Sequence, residues 1–186
     1  MDHWGVAPDI LTTAKGITNA AIPLGLCATT GKIAEYFDEH FFSHGHTYEA
    51  HPLTLAPAIA SIEEMKRMKL AERASELGGY LGPQLEALKA KHRSVGEVRG
   101  LGLFWAVDLV KSRSEKTPFN TMKDKVAGKQ LVVDKVAARM MGNGVFVQAW
   151  LSHFVIAPPL IITKEQIDQG VAALDEALTI ADAEAD

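Results

Sequence analysis

The apolar positions of the chain fall into two regimes. Short apolar bursts at residues 10–14 and 24–29, punctuated by Pro8, Asp9, Pro23 and Gly25, predict two buried strands. From residue 30 the spacing turns helical. Ile33, Ala34 and Phe37 share one side of a short helix over 30–37. Leu53, Leu55, Ile59, Ile62 and Met65 give a broad apolar face to a helix over about 52–68. A second run over 70–91 carries Leu77, Leu81, Leu85 and Leu88, and Gly78-Gly79 and Gly82-Pro83 should bend or break it. Beyond residue 95 the pattern is that of a small α/β domain. Residues 98–102 read as a turn between strands, 103–110 as a strand, and 111–130 as a polar surface loop. A helix over 131–141 stops at Gly142-Asn143-Gly144, and 145–150 and 154–157 read as paired strands. Thr163 and Gln166 have capping-box spacing ahead of a stripe of Ile167, Val171, Leu174 and Leu178. The acidic tail over 182–186 should fray.

Composition narrows the function classes. The chain has 186 residues, and its formal charge of -4 is spread without a basic cluster, which argues against nucleic acid as a partner. Cys27 is the only cysteine, so neither an internal disulfide nor a cysteine metal site is expected. No apolar run is long enough to span a bilayer and the start is no signal peptide, so the chain reads as soluble and cytoplasmic, with no membrane partner.

Candidate chemistry begins at Lys15, between the two predicted strands and beside Ala14 and Gly16. A lysine buried at a strand end loses some of its preference for the charged form and becomes a carbonyl-condensing amine. From spacing alone, a surface lysine in a β-turn is the favoured reading. Thr30-Gly31-Lys32 is no phosphate loop: five residues separate Gly25 from Gly31, and Ile33 stands where a Ser or Thr should hold magnesium. Four of the seven histidines fall over 40–51, but they lack the i, i+4 helical pair of a metalloprotease, and no metal site is expected. Arg99 beside two glycines reads as a structural ion pair or backbone contact, with a substrate carboxylate as the alternative.

Pro8-Asp9-Ile10-Leu11-Thr12-Thr13-Ala14-Lys15-Gly16 followed by Pro23-Leu24-Gly25 resembles the signature around the cofactor lysine of class III aminotransferases, which use pyridoxal phosphate. Phe42-Ser43-His44-Gly45-His46-Thr47-Tyr48 with His51-Pro52, then Val98-Arg99-Gly100-Leu101-Gly102 and Ala157-Pro158-Pro159-Leu160, match in the family's order. The wording is similar to the taurine- and amine-type transaminases that pass nitrogen to pyruvate.

The resemblance implies a fold type I transferase. On it, residues 1–66 would be the C-terminal remnant of the large cofactor-binding domain, 67–94 linking helices, and 95–186 the small α/β domain. It implies that Lys15 carries pyridoxal phosphate as a Schiff base and moves the proton during transamination. Thr47 would reach the cofactor phosphate of the other subunit of a homodimer. Val155 stands where ornithine-type members carry an arginine for the α-carboxylate, which points to amines without one. Trp150 and His153 are candidates for the substrate side, against core packing for Trp150 and a surface position for His153. The family's phosphate cup, ring-stacking aromatic and pyridine-binding Asp have no counterpart here. The chain therefore reads as a C-terminal portion, weakly active or inactive alone. A non-catalytic dimerising or partner-binding module is the alternative.

Overall fold

The computed structural model of the chain describes residues 2–186, which form two compact units, one up to Lys69 and one from Leu70 to Asp186. In the first, β1 (Ile10–Ala14) and β2 (Gly25–Thr29) pair antiparallel, with Ile10 opposite Thr29 and Ala14 opposite Gly25. Two helices follow, α1 (Gly31–Glu39) and α2 (Pro52–Arg67). Pro52 opens α2 where its missing N–H costs nothing, and His51 Nδ1 accepts from Leu53 N at 3.2 Å. The strands were expected to be buried. Instead every residue of β1 and β2 except the half-buried Thr13 is exposed. A lone two-stranded ribbon has two open faces and two open edges, and in this unit only Thr18 and Ala58 are buried among the described residues.

The second unit holds the core. Its helix α3 (Leu70–Lys91) leads into β3 (Val95–Leu101), β4 (Phe104–Ser112), β5 (Thr117–Pro118), α4 (Met122–Val126) and α5 (Val132–Gly142). Strands β6 (Gln148–Trp150) and β7 (His153–Ile156) then precede α6 (Lys164–Glu184). The antiparallel sheet runs β3-β4-β7-β6, with β5 on β4. Along β4 the buried residues alternate, Val107 and Leu109, as a sheet with one covered face requires. They meet Leu81 and Leu85 of α3, Val133 and Val136 of α5, Phe154 of β7, and Leu174 and Leu178 of α6 in one cluster.

Four local expectations are corrected. First, α3 is unbroken through Gly78-Gly79 and Gly82-Pro83. Gly78 and Gly82 serve close packing: a Cβ at Gly78 would run into the Gly102 backbone, and one at Gly82 would lie 2.6 Å from the Trp105 ring. Second, residues 98–101 are strand, not turn. Their pairing with 104–107 leaves only Gly102 (φ 58°) and Leu103 to reverse the chain. Third, the loop over 111–130 contains β5 and α4, the latter opened by a Thr121–Asp124 capping box.

The fourth correction concerns the acidic tail, which is helical to Glu184. Asp182 Oδ1 accepts from Ser94 N at 3.0 Å and Ser94 Oγ at 2.6 Å, while its Oδ2 lies 2.6 Å from Nδ1 of the buried His92. Nε2 of the same ring is 2.7 Å from Asp175 Oδ1, and Asp186 N donates to Lys111 O at 2.8 Å. Two carboxylates one α6 face apart therefore grip one imidazole, and the tail is pinned where composition alone implied fraying.

Candidate active site

The β1–β2 register closes at Ala14 and Gly25, so Lys15 is the first residue of the connection. It opens a 3₁₀ turn, Lys15–Thr18, and takes a left-handed backbone (φ 54°). Asn19 (φ 50°) and Ala20 (φ 60°) are left-handed too. Non-glycine residues rarely adopt this region, and three within six positions concentrate strain beside the lysine. The turn is held by Asn19 N to Gly16 O (3.0 Å), Ala20 N to Lys15 O (3.4 Å) and Ala21 N to Thr18 O (3.0 Å). Thr18 is 2% exposed, and its Oγ1 donates to Ile22 O at 2.7 Å. Helix α2 packs against this turn. Lys15 itself is exposed, so the burial invoked for it from sequence is absent in this chain. Beside it, a Cβ at Gly16 would meet nothing within 4 Å, which leaves the flank of the amine open.

Thr47 lies in an exposed turn of the same unit. Glu49 N donates to His46 O, and His46 N to Glu49 Oε2, both at 3.1 Å, and Ala50 (φ 52°) ends the turn. The neighbouring histidines make local contacts. His40 stacks on Tyr36 at 3.8 Å with Nδ1 2.7 Å from Tyr36 O, His51 caps α2, and His44 meets His46 edge-on at 4.7 Å. Among the described residues no group of three or more His, Cys, Asp or Glu side chains is placed to hold a metal.

Trp150 and His153 belong to the second unit, where they face each other as a cross-strand pair of β6 and β7. For Trp150 the sequence weighed core packing against a place on the substrate side. Trp150 is 45% exposed, with Lys125 Nζ of α4 3.4 Å from its ring centroid, because a strand this close to the sheet edge has no cover on that face. His153 is half-buried opposite Asp108. Arg99 makes a two-pronged pair with Asp108, which raises its already high pKa and fits the structural ion pair favoured from sequence. Val155 lines an apolar groove of about 490 Å³ together with Leu81, Met140, Phe146 and Leu174, and Gln148 contributes one of its few polar groups.

Two side chains escaped the reading from sequence. Thr18 sits in no apolar period, and a hydroxyl among small residues is the only signal that marks it. Lys125 lies in a stretch read as loop, and only the fold sets it over Trp150.

An exposed primary amine on a strained hairpin turn is a group able to condense with a carbonyl. The family comes from the comparisons. Residues 1–178 match the family described as Aminotransferase class-III. The chain is 32% identical over 184 residues to the taurine–pyruvate aminotransferase of Bilophila wadsworthia, covering 95% of this chain and 40% of that one. To the putrescine–pyruvate aminotransferase of Pseudomonas aeruginosa it is 34% identical over 169 residues, 90% of this chain and 35% of the relative. Among solved structures, the taurine:2-oxoglutarate aminotransferase of Bifidobacterium kashiwanohense, in complex with pyridoxal phosphate and glutamate, superposes with a TM-score of 0.86 at 32% identity. That match covers 98% of this chain and 40% of the other. The chain belongs to the class III aminotransferases, and its fold is that of the fold type I transferases. It spans 35–40% of the length of the curated relatives named above.

Proposed function

We propose that the chain is the lysine-bearing, C-terminal portion of a pyridoxal-phosphate-dependent transaminase that moves an amino group from an amine or amino acid to a keto acid such as pyruvate. The observation that carries this reading is the position of Lys15 on the strained turn between β1 and β2, with open space at Gly16. An exposed amine and an exposed hydroxyl at Thr47 are a donor set that fits the aldehyde and the phosphate of that cofactor. When bound, the cofactor supplies an aldehyde and an electron sink. Lys15 Nζ would hold it and, as a free amine, carry a proton at the substrate carbon. Thr47 Oγ1 would donate to the phosphate of a partner subunit's cofactor, which makes the working unit a homodimer. Residues 1–66 belong to the cofactor-binding domain, 67–94 to the linking helices and 95–186 to the small domain on this reading.

Trp150 and His153 would flank the substrate. With Val155 in place of an arginine and Arg99 paired with Asp108, neither of these two positions offers a free guanidinium to an α-carboxylate. This supports an amine donor of the taurine or ω-amine type. No helix among the described residues is long and apolar enough to cross a membrane, and a cytoplasmic location is part of the proposal. The exposed apolar side chains of the first unit, Phe41 at 92% and Leu53 at 71% among them, favour the second reading, a non-catalytic association module.

The deciding experiment mixes purified chain with pyridoxal phosphate, reduces it with borohydride and maps the label by mass spectrometry. Label concentrated on Lys15 and lost in Lys15→Ala is the expected result. Label scattered over surface lysines would leave the association module as the better account.

A further inference from the structure

We infer that Thr18 is a positioning residue for Lys15, acting through the backbone of the turn and touching no cofactor or substrate itself; this rests on the reading of Lys15 as the cofactor lysine. Thr18 is the only buried polar residue among those described up to Lys69. Its hydroxyl has one partner, the carbonyl of Ile22, and that bond brackets Asn19, Ala20 and Ala21. Asn19 and Ala20 are two of the three strained residues, and their N–H groups donate back to Gly16 and Lys15. The connection is a short relay. The Thr18–Ile22 bond holds Asn19 and Ala20 in the left-handed region, and their amides then hold the Lys15 carbonyl and with it the left-handed φ of Lys15. Without the hydroxyl, residues 19–21 relax toward extended or right-handed backbone, which costs less. The Lys15 Cα–Cβ vector then leaves the hairpin in another direction. A threonine meets the requirement because its methyl packs in the buried position while its hydroxyl makes the bond; valine keeps the packing and removes the bond.

The test uses the full chain as wild type, Thr18→Val and Thr18→Ser. The first readout is borohydride-trapped pyridoxal phosphate on Lys15 relative to Lys32. The second is competitive acylation of the same two lysines with acetic anhydride, which needs no cofactor. Hydrogen exchange over α2 and residues 70–186 reports folding. Thr18→Val is expected to lower both Lys15 ratios about fivefold, the effect of one hydrogen bond lost from the poised turn, with exchange outside residues 15–24 unchanged. Thr18→Ser is expected to restore them. Ratios in Thr18→Val equal to wild type overturn the inference, and so does a serine variant as impaired as the valine one. Should the valine change also loosen α2, the serine variant alone decides: wild-type ratios support the relay and reduced ratios refute it. If wild-type label is scattered, the functional reading of Lys15 fails, and the acylation ratio still decides whether Thr18 governs the exposure of that amine.

Discussion

Ala20 holds a left-handed backbone at φ 60°, next to Asn19, whose residue type tolerates that region. An alanine pays the full steric cost of its Cβ there. Ala20→Gly is therefore expected to stabilise the turn by about 1 kcal/mol, seen as slower amide exchange over residues 18–22. At this scale much of the candidate site could be read from sequence. Lys15 and Thr47 carry local motifs, and Arg99 was weighed correctly as an ion-pair residue because Asp108 lies in the adjoining strand. Trp150 was not legible. An aromatic in a strand reads as core, and only the sheet order shows that β6 is an edge with Lys125 laid over the indole ring.

Helix α3 shows how element and packing can reverse a propensity argument. Two glycines and a proline counsel a break, yet the helix is continuous from Leu70 to Lys91. Gly78 lies against the Gly102 turn and Gly82 against Trp105, whose Nε1 donates to Gly102 O at 2.7 Å. Gly78 lets backbone approach backbone, and Gly82 makes room for an indole ring. Gly78→Ala should raise intrinsic helicity by about 1 kcal/mol but lose more to the clash, for a net destabilisation of roughly 1–3 kcal/mol in urea unfolding.

Helix α6 divides in the same way, its start legible in sequence and its far end not. Its capping box at Thr163 and Gln166 was visible in sequence and is formed, with Gln166 N to Thr163 Oγ1 at 3.3 Å and Thr163 N to Gln166 Oε1 at 3.0 Å. The grip of Asp175 and Asp182 on His92 was not visible, because these residues come from segments more than 80 positions apart. Burial works against ionisation of Asp182, but the Ser94 and His92 hydrogen bonds outweigh it and hold its carboxyl below the usual range. Lys91 first, then His92, holds the Asp175 carboxyl low. A carboxyl depressed in the folded state contributes stability that is present above its unfolded pKa of about 3.9 and is lost as pH falls through the folded value. Stability of α6 docking should therefore decline in acid from about pH 4 downward. Asp182→Asn should cost about 2 kcal/mol at neutral pH and flatten that acid slope, as followed by urea unfolding at a series of pH values.

Across the whole molecule, burial is unevenly shared. The connected core belongs to residues 70–186, whereas the unit up to Lys69 buries Thr18 and Ala58 among its described residues. Amide exchange of the full chain should follow that division. Core strands and helices of the second unit are expected to be protected, and β1 and β2 to exchange orders of magnitude faster. Equal protection in the two units would mean that association covers the hairpin in solution.

What the sequence determined by itself was most of the run of elements and the family motif around Lys15. Period-2 and period-3.6 spacing, caps and turn residues are local properties, and the lysine motif is contiguous. The tertiary structure alone decided which apolar faces find cover, which glycines are contact points, and which distant carboxylates meet His92. Those depend on segments far apart in the chain approaching within a few ångströms. Spacing along a sequence carries no record of that approach.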